Sequence, residues 1–325
     1  MRRRDFIKGI IGSAVAWPSA ARAQQQAMPV IGILRSTSLA FSTPMVTGFR
    51  QGLTATGFTE GQNVTIEYRY ADDQNERLPG LVTELIRLPV AVIVVNGSAA
   101  LAAKAATTKV PIVFATGSDP VVDGLVASLN RPGGNVTGVS FVVGLLGAKR
   151  LEMLRQLVPT AATIAMLVGT ETLEARVEQR DVELAAQALG QQLIPTPVTG
   201  AGELDGAFTS IVERGAKALL VGAGALLSSN RGRIVALAAR RAIPAVYPLR
   251  EFVEVGGLMS YGASIVEAYR QAGIYAGRVL KGEKPADLPV MQSTKFELVI
   301  NLKAARALGL SIPPTLLSVA DEMIE

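Results

Sequence analysis

Cysteine and histidine are both missing from this 325-residue chain. Their absence removes Ser-His-Asp and Cys-His catalysis, disulfides, zinc sites built on these ligands and iron–sulfur clusters. Any chemistry is left to carboxylates, lysine, arginine, tyrosine or hydroxyls, and no metal or cofactor is expected. The one tryptophan, Trp17, lies close to the N-terminus. Long apolar runs are missing too: no stretch of 18 or more uncharged apolar residues offers a helical membrane span. What is present is a composition of 49% hydrophobic and 18% charged residues, a balance that folds. The length suits one large domain or two of ordinary size.

The N-terminus reads Arg2-Arg3-Arg4-Asp5-Phe6-Ile7-Lys8, followed by small and apolar residues from Gly9 to Ala21. Ala21-Arg22-Ala23 then places small residues where a signal peptidase needs them. Paired arginines before Asp5-Phe6-Ile7-Lys8 resemble the twin-arginine export signal. Residues 1–23 are therefore expected to be a cleaved export signal, leaving Gln24 as the new N-terminus. With no cysteine to carry a lipid anchor, the mature chain is expected to be free in the periplasm. Removing residues 1–23 lowers the net charge from +5 to +1. That near-neutral balance argues against a nucleic-acid partner, which needs clustered positive charge.

From Pro29 onward, β-branched runs alternate with helical segments, and the runs are nearly continuous in Val, Ile and Leu, as strands buried on both faces are. Strands are predicted at Val30–Leu34, Val64–Tyr70, Ala91–Val95, Ile112–Ala115 and Val136–Ser140. A second set follows at Thr163–Val168, Leu193–Val198, Ala218–Val221, Ala245–Tyr247 and Leu258–Ser260. Ser42 is placed just before a helix bearing Met45, Phe49 and Leu53, with Gly57 as its left-handed stop. Ser264 and Glu267 have the spacing of a capping box. The alternation predicts an α/β chain with two doubly wound parallel-sheet lobes. Three passages between lobes are expected, giving residues 24–143 plus 263–285 to the first lobe and 144–262 plus 286–325 to the second.

Open α/β sheets bind ligands beyond the carboxyl ends of their strands. Those positions hold Arg35-Ser36-Thr37-Ser38, Asn96-Gly97-Ser98 and Thr116-Gly117-Ser118-Asp119 in the first half. In the second they hold Gly169-Thr170, Gly222-Ala223-Gly224, Tyr247 and Ser260-Tyr261-Gly262. Short side chains there let a small anion reach backbone N–H groups, although the same residues serve as ordinary turn and cap residues. Asp119 could pair a ligand ammonium or cap the segment that follows. Tyr247 and Tyr261 could line a pocket or pack in a core. Asp72 and Asp73 are adjacent and are expected on a solvated helix start. Gly222-Ala223-Gly224 begins like a dinucleotide fingerprint, but Leu227 stands where the third glycine belongs, and Arg240 and Arg241 replace the acid about twenty residues on.

Longer segments carry a resemblance. They include Phe49-Arg50-Gln51-Gly52-Leu53, Glu60-Gly61-Gln62-Asn63-Val64, Asp119-Pro120-Val121, Arg131-Pro132-Gly133-Gly134-Asn135-Val136-Thr137-Gly138 and Gly256-Gly257-Leu258-Met259-Ser260-Tyr261-Gly262. On these residues the chain resembles the ABC-transporter substrate-binding proteins of the group that takes up tryptophan and tyrosine. The resemblance implies a type I-like periplasmic-binding-protein fold with three crossovers and no catalytic residues. It implies a monomer that closes its cleft on a small organic solute: an amino acid, aromatic favoured over branched, or a related carboxylate. The partners it implies are an ABC permease and its ATPase. Asn96, Gly97, Ser98, Thr116 and Gly117 are then expected to donate to a ligand carboxylate. Asp119, Tyr247, Ser260 and Tyr261 become second-side contacts, and Ser36, Thr37 and Thr170 complete the candidate set. The segment from Gly224 to Ser229 is smaller than the resemblance leads one to expect, which leaves the ligand class open. A periplasmic enzyme using Asp119, or a solute sensor for a membrane receptor, are the alternative readings.

Overall fold

The computed structural model describes residues 28–141, 146–169, 173–293 and 296–325. In chain order the strands are β1 (Val30–Arg35), β2 (Thr65–Tyr70), β3 (Val90–Asn96), β4 (Ile112–Thr116), β5 (Val136–Ser140), β6 (Thr163–Gly169), β7 (Gln192–Val198), β8 (Ala218–Val221), β9 (Ala245–Tyr247), β10 (Met259–Ala263), β11 (Met291–Gln292), β12 (Phe296–Asn301) and β13 (Glu322–Ile324). They form two sheets, ordered β2-β1-β3-β4-β5-β11 and β7-β6-β8-β9-β10-β12-β13. Neighbouring strands are parallel except where β12 runs antiparallel to β10. Each sheet repeats the 2-1-3-4-5 winding, so each has its switch point beside its first strand, at β1/β3 and at β6/β8. Pro195 and Pro197 are tolerated in β7 because that strand is an edge.

Burial explains the strand composition. Every residue of β4, β5, β8 and β9 is buried. Helices cover both faces of the first sheet. Ile31, Ile33 and Val94 pack with Met45, Phe49 and Ala272 on one side. Leu34, Ile93 and Val95 pack with Leu85 and Ala99 on the other. The helix Leu39–Ala55 lies tightly against the helix Ile265–Leu280, which returns to the first lobe from the far end of the chain. Glycines make that approach possible: a Cβ on Gly52 would overlap the Arg270 carbonyl, and one on Gly273 would overlap that of Phe49.

The expected boundary at 143/144 lies outside the described residues, and the chain returns to the first lobe at Ser264, directly after β10. The third passage follows Ser293, whose N–H still donates to Ser140 O at 2.8 Å. The expected boundary at 285/286 is therefore displaced, because β11 pairs with β5 and keeps residues 286–293 in the first lobe. Another expectation also shifts. The helix predicted after Ser42 begins at Leu39 and is capped by Ser38, which accepts from Phe41 N, while Ser42 sits inside its first turn. Gly57 stops it as expected, at φ +93°.

Candidate functional site

The carboxyl ends of both sheets face the same cleft, and contacts cross it. The Ser229 hydroxyl of the second lobe donates to Asp73 Oδ1 of the first at 3.0 Å. The Arg231 guanidinium of the second lobe lies 4.9 Å from the centre of the Phe41 ring of the first. Phe41 stands on the first turn of the helix Leu39–Ala55, and Ser229 ends the short helix Ala225–Ser229 that follows β8. These contacts join the segments after β1 and β2 of the first lobe to the segment after β8 of the second.

On the first lobe the turn after β1 is held rigidly. Asn96, at the end of β3, accepts from Ser36 N at 2.9 Å and donates to Ser36 Oγ at 2.8 Å. This ties the two sides of the switch point together. Asp73 N donates to Ser36 O at 2.8 Å, which seats the turn after β2 on the same loop. Asp72 and Asp73 adopt φ of 54° and 63°, so they form a left-handed turn rather than the expected helix start. That conformation is tolerated by aspartate better than by most residues. Thr116 and Ser118 bond to each other at 2.6 Å beyond β4, and Ser118 donates onward to Asp123. Gly117 lies between them.

Arg35 ends β1 and is 3% exposed. Its Nε donates to Ser42 Oγ at 3.1 Å and its Nη2 to Thr37 Oγ1 at 3.5 Å. Its guanidinium stacks 4.5 Å from the centre of the Tyr269 ring. Burial lowers its pKa to about 9. The hydroxyl of Tyr70, at the end of β2, is held above its ordinary value by burial and so supplies no negative charge at neutral pH.

The second lobe uses a buried ion pair for the same positioning task. Arg150 and Glu178 pair with side chains 0% and 2% exposed. Glu178 also accepts from Ala223 N at 2.7 Å, fixing the turn after β8, and Arg150 donates to Tyr261 O at 3.3 Å beside β10. Burial pushes the Glu178 carboxyl up and the Arg150 guanidinium down, and their mutual attraction opposes both.

Several candidate residues sit elsewhere than expected. Asp119 accepts from Val121 N at 2.8 Å and Val122 N at 3.3 Å, so it caps its own turn and stays exposed. Tyr247 is a core residue: it is 1% exposed and stacks on Phe252 at 4.9 Å. Tyr261 leans on Phe296 at 6.2 Å, on the other sheet face. Ser260, in register with Tyr247, is buried with its hydroxyl unbonded among the described residues. Gly97 adopts φ +28° and starts the helix Gly97–Ala106, while the neighbouring Ser98 hydroxyl donates to Asn75 at the exposed rim. Thr170 lies outside the described residues. Arg35 was named in the turn after β1 but not among the candidate site residues, Asp73 was expected on a solvated helix start, and Arg231 and Ser229 had no expected role. A charge beside a buried strand was the available signal for Arg35.

The chain belongs to the ABC transporter substrate binding protein family, whose model matches residues 30–324. It is 26% identical to a tyrosine-binding protein of Clostridioides difficile (strain R20291) over 81% of this chain and 76% of that one. Among solved structures, an ABC domain in complex with L-Trp from Streptococcus pneumonia aligns with a TM-score of 0.83 at 26% identity. The ligand-free, open structure of a Clostridium difficile substrate binding protein with adhesive properties aligns at 0.67, also at 26% identity. Both alignments cover 91% of this chain and 99% of the other. The chain is thus a substrate-binding protein rather than an enzyme, with the two-lobed type I-like fold.

Proposed function

We propose that this protein is exported, captures a small carboxylate-bearing solute between its lobes, and delivers it to an inner-membrane ABC permease and its ATPase. An aromatic amino acid is the first ligand to test, because relatives carry tyrosine-binding and L-Trp-bound descriptions. The observation that carries the reading is the Asp73–Ser229 bond between strand ends of opposite lobes. A contact between opposite lobes favours the state with the cleft drawn together, which is how hinged binding proteins trap solute. The better alignment to the L-Trp complex than to the open form, at equal identity, supports the same state. Export rests on the N-terminal arginines and the Ala21-Arg22-Ala23 site.

The test is a thermal-shift panel on protein freed of carried ligand by unfolding and refolding, with aromatic and branched amino acids and aromatic acids. A ligand at 100 times its Kd adds about 2.7 kcal/mol to stability. One responding chemical class, together with a smaller radius of gyration by solution scattering, is the expected result. No response from any class refutes the proposed solute.

A further inference from the structure

We propose that Arg35 and Tyr269 form the anchor for the ligand's carboxylate, which makes a carboxylate an obligatory feature of whatever this protein binds. This rests on the binding-protein reading above and specifies its site. Two buried donors on this pair of packed residues have no acceptor among the described residues: Arg35 Nη1 and the Tyr269 hydroxyl. Both residues are 3% exposed, and the guanidinium lies 4.5 Å from the Tyr269 ring centre.

Both residues lie near the carboxyl end of the first sheet, beside the passage from the second lobe. Arg35 ends the strand beside the switch point. Tyr269 lies in the helix Ile265–Leu280, which starts immediately after the chain re-enters the first lobe. The neighbouring helix, Leu39–Ala55, meets Arg231 of the second lobe through Phe41. Arg35 is therefore packed between two helices that both begin on the face turned toward the cleft.

Charge points the same way. The neighbours of Arg35 are Thr37, Ser42, Tyr269 and Tyr70, all neutral at pH 7. A buried cation with no counter-charge is costly, and an arginine retained under those conditions is stabilised by an anion that arrives from outside the chain. Its planar fork matches a carboxylate, and the Thr37 and Ser42 hydroxyls fix the orientation of the fork through its other nitrogens. The acids near the strand ends already have partners: Glu178 holds Arg150 and Ala223, and Asp119 caps Val121 and Val122.

The experiment is calorimetric titration of the refolded protein with L-tyrosine, 3-(4-hydroxyphenyl)propionate and tyramine. These share a ring and differ in carrying a carboxylate with an ammonium, a carboxylate alone, or an ammonium alone. Binding of either or both carboxylates, with tyramine silent, is expected, and the stronger of the two identifies the ligand as amino acid or plain acid. Arg35→Met is expected to weaken that binding on the order of 100-fold, and Tyr269→Phe about tenfold. The unliganded Arg35→Met protein is expected to melt higher than wild type, since it loses an uncompensated charge, whereas a structural arginine would leave it melting lower. Tyramine binding as tightly as the acids, or unchanged carboxylate affinity in Arg35→Met, overturns the anchor. If wild type binds none of the three compounds, the aromatic ligand of the proposed function fails. The melting comparison then decides the anchor: a higher Tm in Arg35→Met supports it, and a lower one overturns it.

Discussion

Asp73 and Ser229, 156 residues apart in sequence, share a 3.0 Å hydrogen bond across the two lobes. Removing either partner is expected to weaken closure by about 0.5–1.5 kcal/mol, or roughly 2- to 10-fold in ligand affinity. In a double-mutant cycle, Asp73→Ala and Ser229→Ala together should cost little more than either alone. Full additivity would show that the bond does not contribute to the bound state.

The same contact has a pH signature. Burial holds the Asp73 carboxyl above its ordinary value, and Asp72 pushes in the same direction while the Ser229 bond opposes it. A carboxyl raised in the closed form takes up a proton more readily there than in the open form. Closure is therefore less favoured with Asp73 ionised than with it protonated, and that difference is lost as pH falls through the raised value toward the ordinary one. Affinity measured from pH 7 down to pH 4 should rise more in wild type than in Asp73→Asn. Parallel profiles would exclude Asp73 as the source.

Asp119→Ala is expected to leave ligand affinity within about twofold while costing about 0.5–2 kcal/mol of stability, the range for a lost cap. Titration and denaturant melts on one preparation check both halves. A large affinity loss in a stable variant would return Asp119 to the binding site.

Glu178→Gln should destabilise the second lobe by about 3–5 kcal/mol, because it leaves Arg150 buried without its charge partner. Replacing both residues with apolar side chains should cost less than Glu178→Gln alone. Denaturant unfolding separates the two cases, and equal losses would show that the ion pair is not the source of the cost.

Ten of the strands were legible from the strand-helix alternation, most clearly where a short β-branched run is buried between helices, as in Ile112–Thr116. The β12 strand was not, since it joins β10 antiparallel at the end of the chain, outside the strand-helix alternation that reveals the others. The two-residue β11 offered no pattern at all. For the site, the strand ends named Ser36 as a candidate and Asn96 as a ligand donor; in the fold the two bond to each other. Asp119 and Tyr247 were each left with two readings, because residue type cannot tell whether a side chain turns to its own backbone, as Asp119 does, or into the core, as Tyr247 does. Arg35, though named in the turn after β1, was given no site role because its environment is made by Ser42 and Tyr269, and only the tertiary fold brings Tyr269 near.

The packing of the helix Ile265–Leu280 on the helix Leu39–Ala55 has a consequence for the order of synthesis. More than two hundred residues separate these partners, so the first lobe cannot complete its own wall until the second has been made. Closing so long a loop is slow, and such pairings delay folding. A chain ending at Gly256 would lack this wall along with the β10, β12 and β13 edge of the second sheet. Neither lobe is therefore a finished unit until nearly the whole chain has left the ribosome.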